Sequence, residues 1–403
     1  MKRTLLLLPL LALAVPALAQ DSATNAVWRQ ADFAANLFRG ATARKAVEEN
    51  VVLSPWGVAN LLALLQTGAR GDTARGIASA LRLGGAEPLA PDEVAATFRE
   101  MRTRLSRASQ ENIRRGLVDT LELSDSLWLA PGVEADPDFA ARARDAFAAE
   151  VRTTEMGAAG RKAINAFVSE KTRGRVGELI RPPLLDEPDT RLVAVNTVYF
   201  KARWFNTFND SLTSNQVFHA PTGDREVPFL HDTRTLCPLF DAPECTALPV
   251  AYRGGSEMLF LLPSPSNTVD DIVANLGGPW LDRLESKSWY GKVSIALPKF
   301  EFDSEHDLEP ILSSMGMSAA FDERSADFSG IAPGLRLSAS VQRTSIAVDE
   351  EGTTAAAEAC GIGRPLGIVK NEPRAFIADR PFLFLVRKRS NGLILFLGRV
   401  AKP

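Results

Sequence analysis

The sequence predicts an α+β fold held in one large domain, and three observations carry that prediction. Helical periods fill most of the early mature chain, whereas Val118–Leu129, Leu192–Phe200 and Ser345–Val348 read as strands. The two kinds of signal interleave with no Pro/Ser/Gly-rich linker between them. Residues 20–403 suffice for two average domains or one large mixed one, and the unbroken interleaving favours one.

Taken in order, Met1 to Ala19 opens with Lys2 and Arg3, runs through an apolar segment from Leu5 to Val15 and ends on small residues at Ala17 and Ala19. That is the layout of a secretory signal peptide cut after Ala19, with a retained anchor as the alternative; the apolar segment is short for a membrane span. The mature protein is therefore expected to be soluble and secreted, either extracellular or, in a bacterium, periplasmic. Asn25–Arg39, Pro55–Gln66, Thr73–Leu81 and Asp92–Arg107 read as helices. Ser54 is a natural N-cap followed by Pro55 at the first helical position, and Val58, Leu61, Leu62 and Leu65 then share a face. Val118–Leu129 alternates as a strand, and Arg161–Arg173 returns to a helical period. Leu192–Phe200 is nearly all apolar, as a central strand covered on both faces requires, but Asn196 and Thr197 interrupt it. A buried Asn there needs a partner.

The most unusual stretch is Ser345 to Leu366. Up to Val348 it alternates like an ordinary strand; after Gly352 bulky side chains vanish. Read with a period of two, one face carries Thr353, Ala355, Ala357, Ala359, Gly361 and Gly363, all small, while Glu358 falls on the other. Ala and Gly pack poorly on a pleat, so the segment would not form a strand alone, and composition by itself suits an alanine-rich helix turn or a loop. It would become a strand if two neighbouring strands parted and accepted it, because small side chains cross a gap without clashing.

Little in the sequence suggests catalysis or a bound cofactor. The three histidines, His219, His231 and His306, lie in no nucleophile or metal motif, and Gly254-Gly255-Ser256 departs from a nucleophile elbow at Met258. No nucleotide loop or metal-ligand cluster is present. The net charge of −3, with acids and bases intermixed, gives no footprint for nucleic acid or a membrane surface. A polyanion patch on Arg102, Arg104, Arg107, Arg114 and Arg115 competes with a plain solvated helix face. Asn209-Asp210-Ser211 fits a glycosylation sequon. Cys237 and Cys245 flank a hairpin and would pair only if their Cα atoms come close, and Cys360 lies in the small-residue stretch.

The run Glu350-Glu351-Gly352-Thr353-Thr354-Ala355-Ala356-Ala357 resembles the hinge of a serpin reactive-centre loop. Asn196-Thr197-Val198-Tyr199-Phe200-Lys201-Ala202-Arg203-Trp204 is similar to the central third strand of that family, and Leu53-Ser54-Pro55-Trp56-Gly57-Val58-Ala59 to its buried second helix. Asp379-Arg380-Pro381-Phe382-Leu383-Phe384 and Phe396-Leu397-Gly398-Arg399-Val400 resemble its C-terminal strands. Five such matches in order cover almost the whole mature chain. The resemblance implies a large, mostly antiparallel central sheet, two smaller sheets, eight or nine helices, and an exposed loop over about 350–374.

It also implies a mechanism and a set of residues. A serine protease would cleave the loop and form an acyl-enzyme; the freed segment would then enter the central sheet and carry the protease with it. Roughly fourteen residues at about 3.3 Å each span some 45 Å, enough to cross the molecule. Ser54, Asn196 and Gln342 fall at the polar cluster beneath the opening of the sheet, Gln342 standing where the family usually has His and Gly57 where it has a second Ser. With no histidine, sheet opening is expected to be less pH-sensitive than in relatives that have one. Lys299, matched to the sixth strand, is expected to pair with Glu350 at the sheet top, with Trp204 packed nearby. Counting from the hinge places the scissile bond between Leu366 and Gly367, within a range reaching Ile368, which suits a chymotrypsin-like or elastase-like partner. The expected protein is a monomeric inhibitor and not an enzyme, with loop–sheet polymerisation as its hazard. The alternative is a non-inhibitory carrier or chaperone on the same fold.

Overall fold

In the computed structural model, which describes residues 17–83, 87–114, 120–171, 174, 178–353 and 370–403, helices and strands alternate early and strands take over later. The order begins α1 (Ala17–Thr42), β1 (Val51–Leu53), α2 (Pro55–Gly68), α3 (Gly71–Leu81), α4 (Pro91–Arg114), β2 (Thr120–Leu129), α5 (Pro137–Phe147), β3 (Glu150–Thr153), α6 (Ala158–Lys171) and β4 (Leu192–Arg203). It continues β5 (Ser214–Ala220), β6 (Gly223–Asp241), β7 (Cys245–Ala251), β8 (Ser256–Pro263), α7 (Val269–Asn275), α8 (Gly278–Ser286), β9 (Ser288–Pro298) and β10 (Phe300–Asp307). A helix broken at Gly316 follows, in two short pieces, Glu309–Leu312 and Ser318–Phe321. The chain ends with β11 (Ala339–Val348), β12 (Gly352–Thr353), β13 (Lys370–Ile377), β14 (Phe382–Lys388) and β15 (Ile394–Val400).

The sheet that matters for function has the order β10-β11-β4-β2-β3. Its centre is unusual, because β11 and β4 run parallel between antiparallel neighbours. They pair from Ala339–Val193 to Thr344–Val198, and there the pairing stops. Above that point β11 stays on β10 through Val348 while β4 continues to Arg203, which leaves a notch. The two residues of β12 sit in it, Gly352 opposite Arg203 and Thr353 opposite Ala202, antiparallel to β4.

The second sheet runs β1-β15-β14-β8-β7-β6-β9-β13, with β5 added along β6. The sequence reading expected two smaller sheets here. The long strands β6 and β9 pass through both, so the two are halves of one ribbon, divided by a register shift between Arg234 and Cys237.

Between the two sheets lies α2, packed on β2, β4 and β15. The Ser54 hydroxyl caps it by accepting from Gly57 N at 3.2 Å, and Pro55 occupies the first turn. Every residue of α2 is buried, not only the face carrying Val58, Leu61, Leu62 and Leu65. Helices α1 and α4 run beyond their predicted spans: α1 is described from Ala17, so the expected cut after Ala19 falls within it, and α4 reaches Arg114. Among the described residues no helix is long and apolar enough to cross a membrane.

Candidate functional site

At the top of the notch the hinge is bound through its backbone. Asp349 O accepts from Trp204 Nε1 at 2.9 Å, Glu350 O from Phe208 N at 2.8 Å and Glu351 O from Trp204 N at 2.9 Å. The Asp349 carboxylate folds the chain back by accepting from Glu351 N (2.9 Å) and Gly352 N (3.0 Å). Trp204 is fully buried and stacks on Tyr252 with ring centroids 4.4 Å apart, so the indole that holds Asp349 is itself held. Gly352 has φ +140°, and a Cβ there would fall within 2.8 Å of Ala202 O, Arg203 Cα and Trp204 N. Only glycine lets the chain approach β4 this closely.

Glu350 anchors the same turn through its side chain. Lys299 Nζ lies 2.7 Å from Glu350 Oε2 and 3.0 Å from Oε1, and Thr213 Oγ1 donates to Oε1 at 2.7 Å. Burial works against the carboxylate's charge, but the hydrogen bonds from Lys299 and Thr213 outweigh it and hold its pKa below the ordinary value. Lys299 was expected within a strand; it occupies the corner between β9 and β10, where its own N–H bonds Pro228 O at 2.9 Å.

Below the notch a polar row crosses the sheet. Asp125 of β2 is directly opposite Asn196 of β4, Asn196 is opposite Gln342 of β11, and Gln342 is opposite His306 of β10. All four are buried. Ser54 N donates to Gln342 Oε1 at 2.8 Å, Gln342 Nε2 donates to Asn196 Oδ1 at 2.6 Å, and Asn196 Nδ2 donates to Asp125 Oδ1 at 2.7 Å. Asn60 Nδ2 of α2 donates to Asp125 Oδ2, and the Ser54 hydroxyl donates to Leu395 O at 2.7 Å. The Gln342–Asn196 bond is the side-chain bridge across the β4/β11 seam. Gly57 faces this bridge: a Cβ there would strike the Asn196 side chain and come within 2.7 Å of Val198 Cγ2, so a serine has no room.

Sequence reasoning named Ser54, Asn196 and Gln342 but missed Asp125 and Asn60. The signal was present: in Val118–Leu129 the period of two puts Asp125 on the face of Leu121, Leu123 and Leu127. Burial pushes the Asp125 carboxyl up to about 6, against the hydrogen bonds from Asn196 and Asn60 and the more distant Arg102. The expectation that opening is less pH-sensitive than in relatives with the histidine rested on a cluster without a titratable member, and the structure places both Asp125 and His306 in the row.

Other expectations are revised or fall elsewhere. Thr354, Ala355, Ala356, Ala357, Cys360, Leu366 and Gly367 lie outside the described residues. The loop was expected to extend to Arg374, yet β13 begins at Lys370; Arg374 forms two hydrogen bonds to Asp241 (2.7 and 2.9 Å) and lies over the Trp289 ring. Cys237 and Cys245 are free and buried. The β6/β7 register places Ala242 near Cys245, some five residues and so roughly 17 Å along the strand from Cys237, too far for a bridge. Burial raises both thiols, to about 11 and about 12. Of the expected arginine patch, Arg102 donates to Ala146 O at 2.9 Å and Arg104 pairs with Glu100 at 2.5 Å, while Arg115 lies outside the described residues. Ser256 is a buried residue opening β8.

Comparison with known proteins agrees with this architecture. A serpin-like protein of Thermococcus kodakarensis is 34% identical over 361 residues, covering 88% of this chain and 81% of its own length. The leukocyte elastase inhibitor of Bos taurus is 29% identical over 376 residues, 88% of this chain and 93% of that one. The solved structure of thyroxine-binding globulin in complex with thyroxine superposes with a TM-score of 0.81 at 28% identity, covering 94% of this chain and 99% of the globulin. The sequence profile of the serpins, serine protease inhibitors, matches residues 29–403. The chain belongs to the serpin family.

Proposed function

We propose that this protein inhibits serine proteases of the chymotrypsin or elastase type by loop cleavage, acyl-enzyme formation and insertion of the cut segment between β4 and β11. One observation carries the reading: the hinge already occupies the first two positions of that strand. Continuing the register of Gly352 on Arg203 and Thr353 on Ala202 brings Ala355 to Phe200, Ala357 to Val198 and Ala359 to Asn196. Phe200 and Val198 belong to the main core cluster, so the small face of the segment turns toward it, and Glu358 falls on the other face, opposite Thr197. Residues 352–363 match the length of β4, and Leu366 lies beyond its end. The elastase inhibitor among the relatives supports the same target class, and Met1–Ala19 supports secretion before the protein meets it.

The test is direct. Mixed with an elastase-like or chymotrypsin-like protease, the protein should form a complex that survives SDS and release a peptide whose mass starts at Gly367. Cleavage in 361–368 with no stable complex would remove the inhibitory assignment and leave a substrate or carrier.

Glu350→Ala should loosen the sheet top. The variant loses charge-assisted hydrogen bonds to a Lys299 that remains about one-third exposed, so after discounting for solvent the cost is about 1–2 kcal/mol. We expect polymerisation on warming to quicken about tenfold, read as ladders on native gels. A variant that stays monomeric as long as the parent would count against a role for this pair.

A further inference from the structure

The polar row has a fixed sense of donation. The Ser54 backbone N–H can only donate, so Gln342 must present Oε1 to it and Nε2 to Asn196. Asn196 must then present Oδ1 to Gln342 and Nδ2 to Asp125. Asp125 Oδ1 is therefore an acceptor in every protonation state, and a proton must go to Oδ2, which faces Asn60. Asn60 Oδ1 is buried and has no partner among the described residues. Turning the Asn60 amide over gives a neutral Asp125 an acceptor and leaves the rest of the row unchanged. The closed sheet thus accommodates either form of Asp125, but it keeps the charged form dry.

We propose that Asp125 is a proton-operated brake on sheet opening: its neutral form holds the row, and with it the β4/β11 seam, closed, whereas its ionised form favours opening. The physical cause is hydration. Insertion along the register above brings Ala359 to Asn196 and requires the 2.6 Å Gln342–Asn196 bond to break. Asn196 bonds Asp125 directly, so parting the seam lets water approach a carboxylate that the closed sheet desolvates. Opening therefore lowers the affinity of Asp125 for its proton, and by linkage a proton resists opening.

The sign distinguishes this device from its neighbours. Asp125 has a raised folded-state pKa, so the closed form gains stability as pH falls from about 6 toward 3.8 and forgoes it above. Facing it are Arg102 from α4, which is charged throughout this range, and the neutral Asn60 and Asn196. His306, three strands away in the same row, is buried and bonds Val52 O at 2.9 Å; burial lowers its pKa. Protonating His306 would therefore destabilise the closed form and speed opening in acid, the opposite effect. Glu350, with a lowered pKa, acts below pH 4.5.

The proposal rests on the insertion reading, and the experiment separates the two. A synthetic peptide of residues 353–364 is incubated with the intact protein between pH 5 and 8, and its incorporation is followed by native gel shift. A closed-sheet pKa of about 6 against an ordinary value near 3.8 allows at most an about tenfold effect between pH 5 and 8; with half the hydration regained at the barrier, incorporation should be about sixfold faster at pH 8 than at pH 5. Asp125→Asn, which mimics the neutral acid, should give a flat profile at the slow rate. If no peptide is incorporated at any pH, the insertion reading fails. If it is incorporated with a flat wild-type profile, or faster in acid, the Asp125 brake is overturned; because that profile is read on the parent protein, it decides even if the variant does not fold.

Discussion

Thr353→Arg is expected to turn the inhibitor into a substrate, with cleavage at an unchanged rate and the SDS-stable complex lost. Thr353 is opposite Ala202, whose side chain is fully buried against the core. In an antiparallel pair directly opposed residues share a face, so an arginine at 353 must enter the core or withdraw β12 from the notch. A guanidinium buried there without a carboxylate costs several kcal/mol. Withdrawal is the cheaper course, and it removes the position from which the rest of the segment would insert. The acyl-enzyme then has time to hydrolyse. The control is Thr353→Val, similar in volume and apolar, which should trap protease as the parent does. A Thr353→Arg protein that still traps protease would show that insertion does not begin at β12.

Much of this arrangement was legible in the sequence, for local reasons. Ser54-Pro55 starts α2 because a hydroxyl caps the first turn and proline has no N–H to waste there. The apolar run from Leu192 becomes β4 because both of its faces are covered. Of the two-residue period after Gly352, only Thr353 lies among the described residues, where it is opposite Ala202. What escaped notice depends on through-space pairing. Asp125 and Asn60 lie 65 residues apart, and each reads as an isolated polar residue in an apolar setting; only the packing of α2 on β2 makes them partners. Whether Cys237 and Cys245 pair was equally a matter of space, since closeness along a hairpin says nothing of register. Lys299 was identified by its motif, yet its strand was not, because Pro298 and Lys299 turn the corner between two sheets.

Nicking the uncut protein between Gly361 and Ile368 should raise its thermal unfolding midpoint by at least 10 °C. In the described state the top of β11 keeps only its β10 side paired, and β4 above Val198, still paired with β2 on one edge, is met on its other edge by just two residues of β12. A complete strand at 352–363 would add backbone hydrogen bonds along both edges, each worth about 1 kcal/mol net, and would cover the buried face of β4. Ordering those residues offsets much of that gain, at about 1–2 kcal/mol each. A surplus of about 5 kcal/mol suffices, because in a chain of this size each kcal/mol moves the midpoint by about 2 °C. Calorimetry of the intact and nicked forms at pH 7.5, above the Asp125 window, reads the difference with the row in one protonation state. Equal midpoints would mean that the cut segment never enters the sheet, and the notch at Gly352 would then be a resting place for the hinge and no part of a trap.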